Sequence, residues 1–263
     1  MKQFICRLFA GAFFLRELKA ILLARFIHIF WGLALLAGLI PVIFETNGGE
    51  GYFLLQWCLY ILPLFAAFAG IASAQNEGEE TFLLLSQPVA SSRRIWEKFL
   101  ALWLIVAMAG VPLLLPGLIQ GENISTLFFL FVHAIAAGGI FTALGLAVGF
   151  STQDRVKAYL GGLCIWLVLI VGFGLIALAT ANSGFAESSP QIWVTLLMLN
   201  PIEAMRVGAL LNIGQIPFDR AAMPPLARWW LENLKIWYLL LAGIWITASL
   251  LWATNRLERR RNS

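Results

Sequence analysis

Long, uninterrupted apolar runs dominate this chain, and strict alternation of apolar and polar positions is absent from them. A helix needs about 20 apolar residues to cross the roughly 30 Å hydrocarbon core of a bilayer. Runs of that order lie near residues 26–44, 52–74, 99–119, 126–150, 159–181 and 236–254. A helix satisfies its backbone hydrogen bonds within its own segment, and barrel strands would alternate instead. The pattern therefore predicts an all-α integral membrane protein with six transmembrane helices in a single membrane domain, residues 1–263.

Charge gives these spans an orientation. Apolar residues make up 60% of the chain and charged residues only 12%, whereas soluble domains carry about a quarter charged residues. If the N-terminus is cytosolic, 14 of the 18 Lys and Arg residues lie in inner segments, and the first two outer loops have none. Cytosolic loops are enriched in Lys and Arg. We therefore predict a multi-pass protein of the bacterial inner membrane with both termini in the cytosol.

The stretch before the first span, residues 1–25, has its own pattern. Apolar side chains recur at helical spacing among charged ones: Phe14, Leu15, Leu18 and Leu22 alternate with Arg16, Glu17 and Lys19. This pattern predicts an amphipathic helix lying on the inner membrane surface and in contact with lipid. The alternative is a cytosolic extension of the first span.

The segment between the fifth and sixth spans, residues 182–235, is predicted to be an extracytoplasmic cap of broken helices. It contains five of the ten prolines, and Asn200–Pro201 interrupts its most apolar part. Glu203 and Arg206 would each cost about 2.5–3.5 kcal/mol near the middle of a membrane, which argues against a seventh span. Asn200, Pro201 and Arg206 are the candidate functional residues of this cap.

The chain has few residues suited to metal binding, ion coupling or catalysis. The cysteines (Cys6, Cys58, Cys164) and histidines (His28, His133) are isolated, so we predict no metal site and no cofactor. For His133 we expect an interhelical hydrogen bond rather than a substrate contact. No acidic or basic residue lies deep in a span to couple an ion, and no GxxxxGK[ST] loop is present to bind nucleotide phosphates. The chain is therefore predicted not to be an enzyme, and its net charge of +4 does not indicate nucleic acid.

The first inner loop, residues 75–98, has the most distinctive pattern. An acidic cluster precedes an apolar run, Pro88 follows, and a basic flank closes the loop. The pattern predicts a short apolar helix that projects into the cytosol and fits a partner's groove; a simple interfacial loop is the alternative. The candidate helix comprises Glu79, Glu80, Thr81, Phe82, Leu83, Leu84 and Leu85, and the basic flank comprises Arg93, Arg94 and Lys98.

These motifs resemble those of six-span ABC exporter permeases that lack a fused ATPase, in particular the NosY-type permeases of multicopper-enzyme maturation. The similarity lies in residues 77–88, 92–93 and 97–98, and further matches occur at 14–19 and 197–201. The resemblance implies a homodimer of permeases driven by two copies of a cytosolic ABC ATPase subunit. It also implies that the helix at residues 79–85 is the coupling helix that enters the ATPase groove.

The sequence therefore predicts a permease subunit that couples a separate ATPase to export, or to work on an extracytoplasmic partner such as a periplasmic protein in metalloenzyme maturation. One alternative is a non-transporting scaffold or mechanotransmission subunit that acts through residues 182–235. A haem-exporter-type permease is the other.

Overall fold

The computed structural model describes residues 14–43, 50–85, 90–120, 124–182, 184, 188–212 and 224–262 of the 263-residue chain. These residues are helical with short connections and include no β-strand. The predicted all-α class is therefore confirmed.

The described α-helices follow one another along the chain with few intervening residues. They are α1 (Phe14–Leu22), α2 (Arg25–Ile43), α3 (Glu50–Gln56), α4 (Leu62–Leu85), α5 (Ser91–Met108), α6 (Gly110–Gln120), α7 (Ile124–Ser151), α8 (Arg155–Leu167), α9 (Phe173–Asn182), α10 (Pro190–Leu199), α11 (Pro201–Asn212), α12 (Pro225–Glu232) and α13 (Leu234–Asn262). Two π-helical turns, Trp57–Ile61 and Val168–Gly172, join α3 to α4 and α8 to α9.

Five helical stretches in the described residues are long and apolar enough to cross a membrane. They are Phe53–Asn76, Ser91–Leu115, Leu127–Ser151, Arg155–Thr180 and Leu234–Arg259. A sixth is added if α1 and α2, which meet at a bend of 64°, count as one span. The described residues therefore contain five candidate spans, or six with the bent pair, and α10 is too short to cross a membrane alone, since ten residues extend only about 15 Å.

Helix α7 lies at the centre of the bundle and packs against α4 along much of its length. Glycine makes this contact possible: a Cβ built on Gly145 would lie 2.1 Å from the Ala67 carbonyl oxygen, and one on Gly70 would lie 2.6 Å from the Thr142 carbonyl oxygen. Small residues let helix backbones approach closely where no side chain could fit. The central pair of helices is therefore held at short range by its glycines.

Both π-helical turns accept a hydrogen bond from another helix. The Trp166 indole donates to the Tyr60 carbonyl at 3.0 Å, and the Asn200 amide donates to the Leu169 carbonyl at 2.8 Å. A π turn shifts the backbone pattern and leaves a carbonyl without its usual intrahelical donor. In each case a side chain from a distant segment donates to a carbonyl of the turn, so the two turns are points where separate segments are joined.

Candidate functional site

The predicted coupling segment, residues 79–85, lies at the C-terminal end of α4. Helix α4 runs from Leu62 to Leu85 without interruption, so the expected separate short helix is wrong: the segment continues the span. The acidic cluster consequently lies well inside a helix and not at a helix N-terminus. Gly78 is the weakest helix former between residues 75 and 85, and one glycine costs about 1 kcal/mol without ending a helix. Pro88 and the side-chain contacts of residues 77–85 lie outside what the structure describes.

The basic flank lies on the first two turns of α5, which begins at Ser91. Arg93 pairs with Glu97 one turn away, with Nε and Oε1 2.9 Å apart. Arg94 and Lys98 are buried, with only 5% and 4% of their surface exposed. The three cations were expected to form one flank of a solvated loop; two of them instead face the interior of the bundle.

Lys98 owes its burial to an ion pair with Glu17 of α1. The Lys98 ammonium donates to the Glu17 carboxylate at 2.8 Å and lies 3.2 Å from the Ser73 hydroxyl of α4. Burial alone would raise the pKa of the Glu17 carboxyl, but the charges and hydrogen bonds of Lys98 and Arg16 outweigh burial and lower it. A buried charge is tolerated when it is paired and hydrogen-bonded. Three helices, α1, α4 and α5, therefore meet at one charged contact.

This contact also defines which side of α1 packs on the bundle. Glu17, expected on the polar face, is buried together with Ile21 one turn later, and Leu15 of the expected apolar set is 62% exposed. Helix α1 thus packs on the bundle through the side that carries Glu17 and Ile21, and Leu15 and Leu23 remain exposed. In a membrane these apolar side chains suit contact with lipid.

Gln75 provides a second polar contact at the same level of α4. Its side-chain amide donates to the Gly149 carbonyl at 2.8 Å and to the Thr152 carbonyl at 2.9 Å. These carbonyls belong to the C-terminal end of α7, where the last carbonyls of a helix lack intrahelical donors. We name Glu17, Ser73, Gln75 and Lys98 the basal polar layer. It fixes α4 to α1, α5 and α7 just before the coupling segment.

Farther along the chain, Asn200 separates α10 from α11, as the Asn–Pro break predicted. Its carboxamide oxygen accepts the backbone N–H of Ile202 at 2.9 Å and so caps α11, while its amide reaches the Leu169 carbonyl. Pro201 occupies the first position of α11, where a missing N–H costs nothing. Asn200 is 1% exposed, and each of its polar atoms has a partner.

Two tryptophans of α13 complete this junction. Trp237 donates its indole N–H to the Met198 carbonyl at 2.9 Å, and Trp245 donates to the Leu199 carbonyl at 3.2 Å. The last carbonyls of α10 would otherwise lack hydrogen-bond donors. The predicted cap, in the residues described, is therefore attached to the final long helix through its backbone.

Arg206, the third predicted cap residue, pairs with Glu203 one turn earlier on α11. Glu203 is 1% exposed, whereas about a third of the Arg206 side chain is accessible. One Glu203 oxygen, Oε1, has no hydrogen-bond partner among the described residues, and it lies beside Gly174 of α9. Burial raises the pKa of the Glu203 carboxyl, and the Arg206 charge only partly opposes this. The sequence marked Glu203 as costly in a membrane but did not predict its burial.

His133 differs from its expected role. Its Nδ1 atom lies 2.6 Å from the Phe129 carbonyl of its own helix, so the predicted interhelical hydrogen bond is wrong. Its ring meets the Tyr238 ring of α13 edge-on, with centroids 4.7 Å apart. No group of three or more His, Cys, Asp or Glu residues is positioned to hold a metal within the part of the chain that the structure describes.

Comparison with known proteins places this arrangement among transporters. Residues 17–261 match the family described as ABC-2 family transporter protein. The "Probable ABC transporter permease protein NosY" of Stutzerimonas stutzeri is 27% identical, over 76% of each chain. The protein of the same name from Pseudomonas aeruginosa is 28% identical over the same shares. The family match begins at Glu17 and includes both the basal polar layer and the junction at Asn200.

Proposed function

Because this chain belongs to the ABC-2 transporter family and is a membrane-spanning permease subunit, we propose that it converts ATP hydrolysis in a separate cytosolic ATPase into movement of its helices. Two ATPase copies would act on a homodimer of permeases. The work drives export or acts on an extracytoplasmic partner, such as a periplasmic protein in metalloenzyme maturation. The chain itself hydrolyses no nucleotide.

The proposal places both termini and residues 75–98 in the cytosol, and residues 182–235 outside, in a bacterial inner membrane. The uneven distribution of Lys and Arg supports this orientation. Residues 1–25 then form an interfacial element whose described part, α1, packs on the bundle through Glu17. Residues 182–235 form the extracytoplasmic cap.

The observation that carries the proposal is the continuity of α4. The same helix packs on α7 at the bundle centre, passes the basal polar layer at Ser73 and Gln75, and ends in the coupling segment. Rigid helices transmit displacement without a hinge. An ATPase that grips residues 79–85 would therefore move the second span directly, and the basic flank on α5 would carry the same motion to the third.

Phe82→Asp tests this assignment, with Phe82→Leu as the matched control. We expect the aspartate variant to insert and fold normally but to lose co-purification of the ATPase, because a charge cannot enter an apolar groove. The leucine variant should keep it. Stoichiometric ATPase and stimulated hydrolysis with Phe82→Asp would show that the segment is not the coupling contact.

A second candidate is a mechanotransmission or scaffold subunit that acts through the cap without moving cargo. The junction at Asn200 supports it, because hydrogen bonds join it to the π-helical turn before α9 and to α13, so motion of the spans would reach the cap. Deleting residues 183–190 should abolish binding of an extracytoplasmic partner while ATPase activity persists. An unchanged partner pull-down would exclude this candidate. A haem-exporter-type permease would instead show haem movement in reconstituted vesicles.

A further inference from the structure

A cleft of about 480 Å³ opens at the bend between α1 and α2 and is not explained by coupling to an ATPase. Its walls come from α1, the first turn of α2, the middle of α4 and the start of α5. The Glu17–Lys98 ion pair forms part of its lining. The cleft is therefore built from four helices around a fixed charged contact.

The charge of this lining favours an anion. Among the described residues of the lining, Arg16, Arg25 and Lys98 are positive and Glu17, which pairs with Arg16 and Lys98, is negative, so positive charges outnumber negative ones by two. The first turn of α2 also faces the cleft, and the N-terminal end of a helix favours negative groups. The ligand should carry a phosphate or a similar anionic group.

The remaining walls are apolar. Phe26 and Leu102 line the cleft together with small alanine side chains, so a purely aqueous anion would leave much of the surface uncovered. On the topology proposed above, on which this inference rests, the cleft lies at the level of the inner-leaflet headgroups. Basic pockets between helices on the cytoplasmic side of a membrane suit anionic lipid headgroups.

We propose that this cleft is a binding site for an anionic glycerophospholipid. Its phosphate contacts the guanidinium groups of Arg16 and Arg25, and the start of an acyl chain lies against Phe26. The Glu17–Lys98 pair forms the floor of the site and keeps the cleft open by holding α1 against α4 and α5. The lipid thereby stabilises the bend between α1 and α2.

The test is a titration of the detergent-purified full chain with phosphatidylglycerol, in which bound lipid is counted by native mass spectrometry. Arg16→Gln/Arg25→Gln should weaken binding by on the order of tenfold or more, because each basic side chain near an anionic headgroup contributes measurably. Arg256→Gln/Arg259→Gln removes the same charge from α13 outside the cleft and should leave binding unchanged. Phosphatidylcholine with the same acyl chains should bind the native protein weakly.

Ala20→Trp provides a second variant that keeps every charge. Ala20 is an exposed residue of the cleft wall, so the larger side chain should fill the cleft and displace the lipid without disturbing the core. Equal phosphatidylglycerol binding by the native chain and either cleft variant would overturn the proposal. So would an equal loss in the α13 control, or competition by inorganic phosphate alone, which would show a free-anion site. These measurements need no ATPase, so their failure leaves the coupling proposal intact.

Discussion

Two regions of this bundle each bury a glutamate, and the surroundings of the two carboxylates differ. Glu17 meets a buried ammonium, a neighbouring guanidinium and, through Lys98, the Ser73 hydroxyl. Glu203 meets one partly accessible arginine, and one of its oxygens is left without a hydrogen-bond donor among the described residues. The Glu17 pKa is accordingly lowered and the Glu203 pKa raised. The comparison indicates a paired carboxylate just before the proposed coupling segment, and an incompletely satisfied carboxylate close to the junction at Asn200.

Lys98→Met should give the largest effect, because it leaves the Glu17 carboxylate buried without its main partner. Breaking a buried pair in this way costs about 3–5 kcal/mol. We expect a strongly lowered Tm for the purified chain in detergent. Lys98→Met/Glu17→Gln should recover part of the loss, and a single variant as stable as the native protein would show that the pair is not needed for packing.

Asn200→Ala should have an intermediate effect, since it removes the cap of α11 and leaves the Leu169 carbonyl without a donor. Loss of a partner for a buried polar group costs about 1–3 kcal/mol. The control is Asn233→Ala, whose amide bonds an exposed carbonyl of its own helix. Equal Tm values for the two variants would contradict a special role for Asn200.

The smallest effect is a pH dependence that separates the two glutamates. For Glu17, whose folded pKa is lowered below 4.5, the contribution to stability is lost as pH falls below that value. For Glu203, whose folded pKa is raised above 4.5, stability declines as pH rises from that value through the folded pKa. Comparing Tm against pH for the native chain, Glu17→Gln and Glu203→Gln should therefore give differences of opposite slope.

Parallel slopes in that comparison would mean that the two carboxylates are in similar environments. At neutral pH we further expect Glu203→Gln to be at least as stable as the native chain, because an amide costs less to bury than a carboxylate. Glu17→Gln should be less stable, because it leaves Lys98 buried beside an uncharged group.

Local features of the sequence were sufficient to predict the helices. The described residues of the apolar runs lie in helices or short turns between them, and the junction at Asn200 follows from a residue that caps helices and a proline that begins them. The extent of α4 was mispredicted because the change from apolar to acidic residues was interpreted as a helix boundary. The composition changes from apolar to acidic at that point, but the segment can still form a helix, since Glu, Thr and Leu are all tolerated in helices.

The contacts between helices could not be predicted from the spacing of apolar residues along the chain. Glu17 and Lys98 are 81 residues apart, and Asn200 and Leu169 are 31 residues apart. Helical spacing places Glu17 and Ile21 on one side of α1, but it does not tell whether that side packs inward. The inward side of α1 is set by the contact of Glu17 with the Lys98 ammonium. Lys98 is in turn buried because α5 packs against α4.

The unbroken α4 has a mechanical consequence. Ten residues separate Gln75 from the last residue of the helix, and at about 1.5 Å per residue they extend roughly 15 Å. If α4 tilts as a lever about Ser73 and Gln75, its longer arm is the part from Leu62 to Ser73, which contacts α7 among the membrane-embedded residues. A push on the short arm would thus move the far end of the longer arm, near Leu62, by the greatest distance.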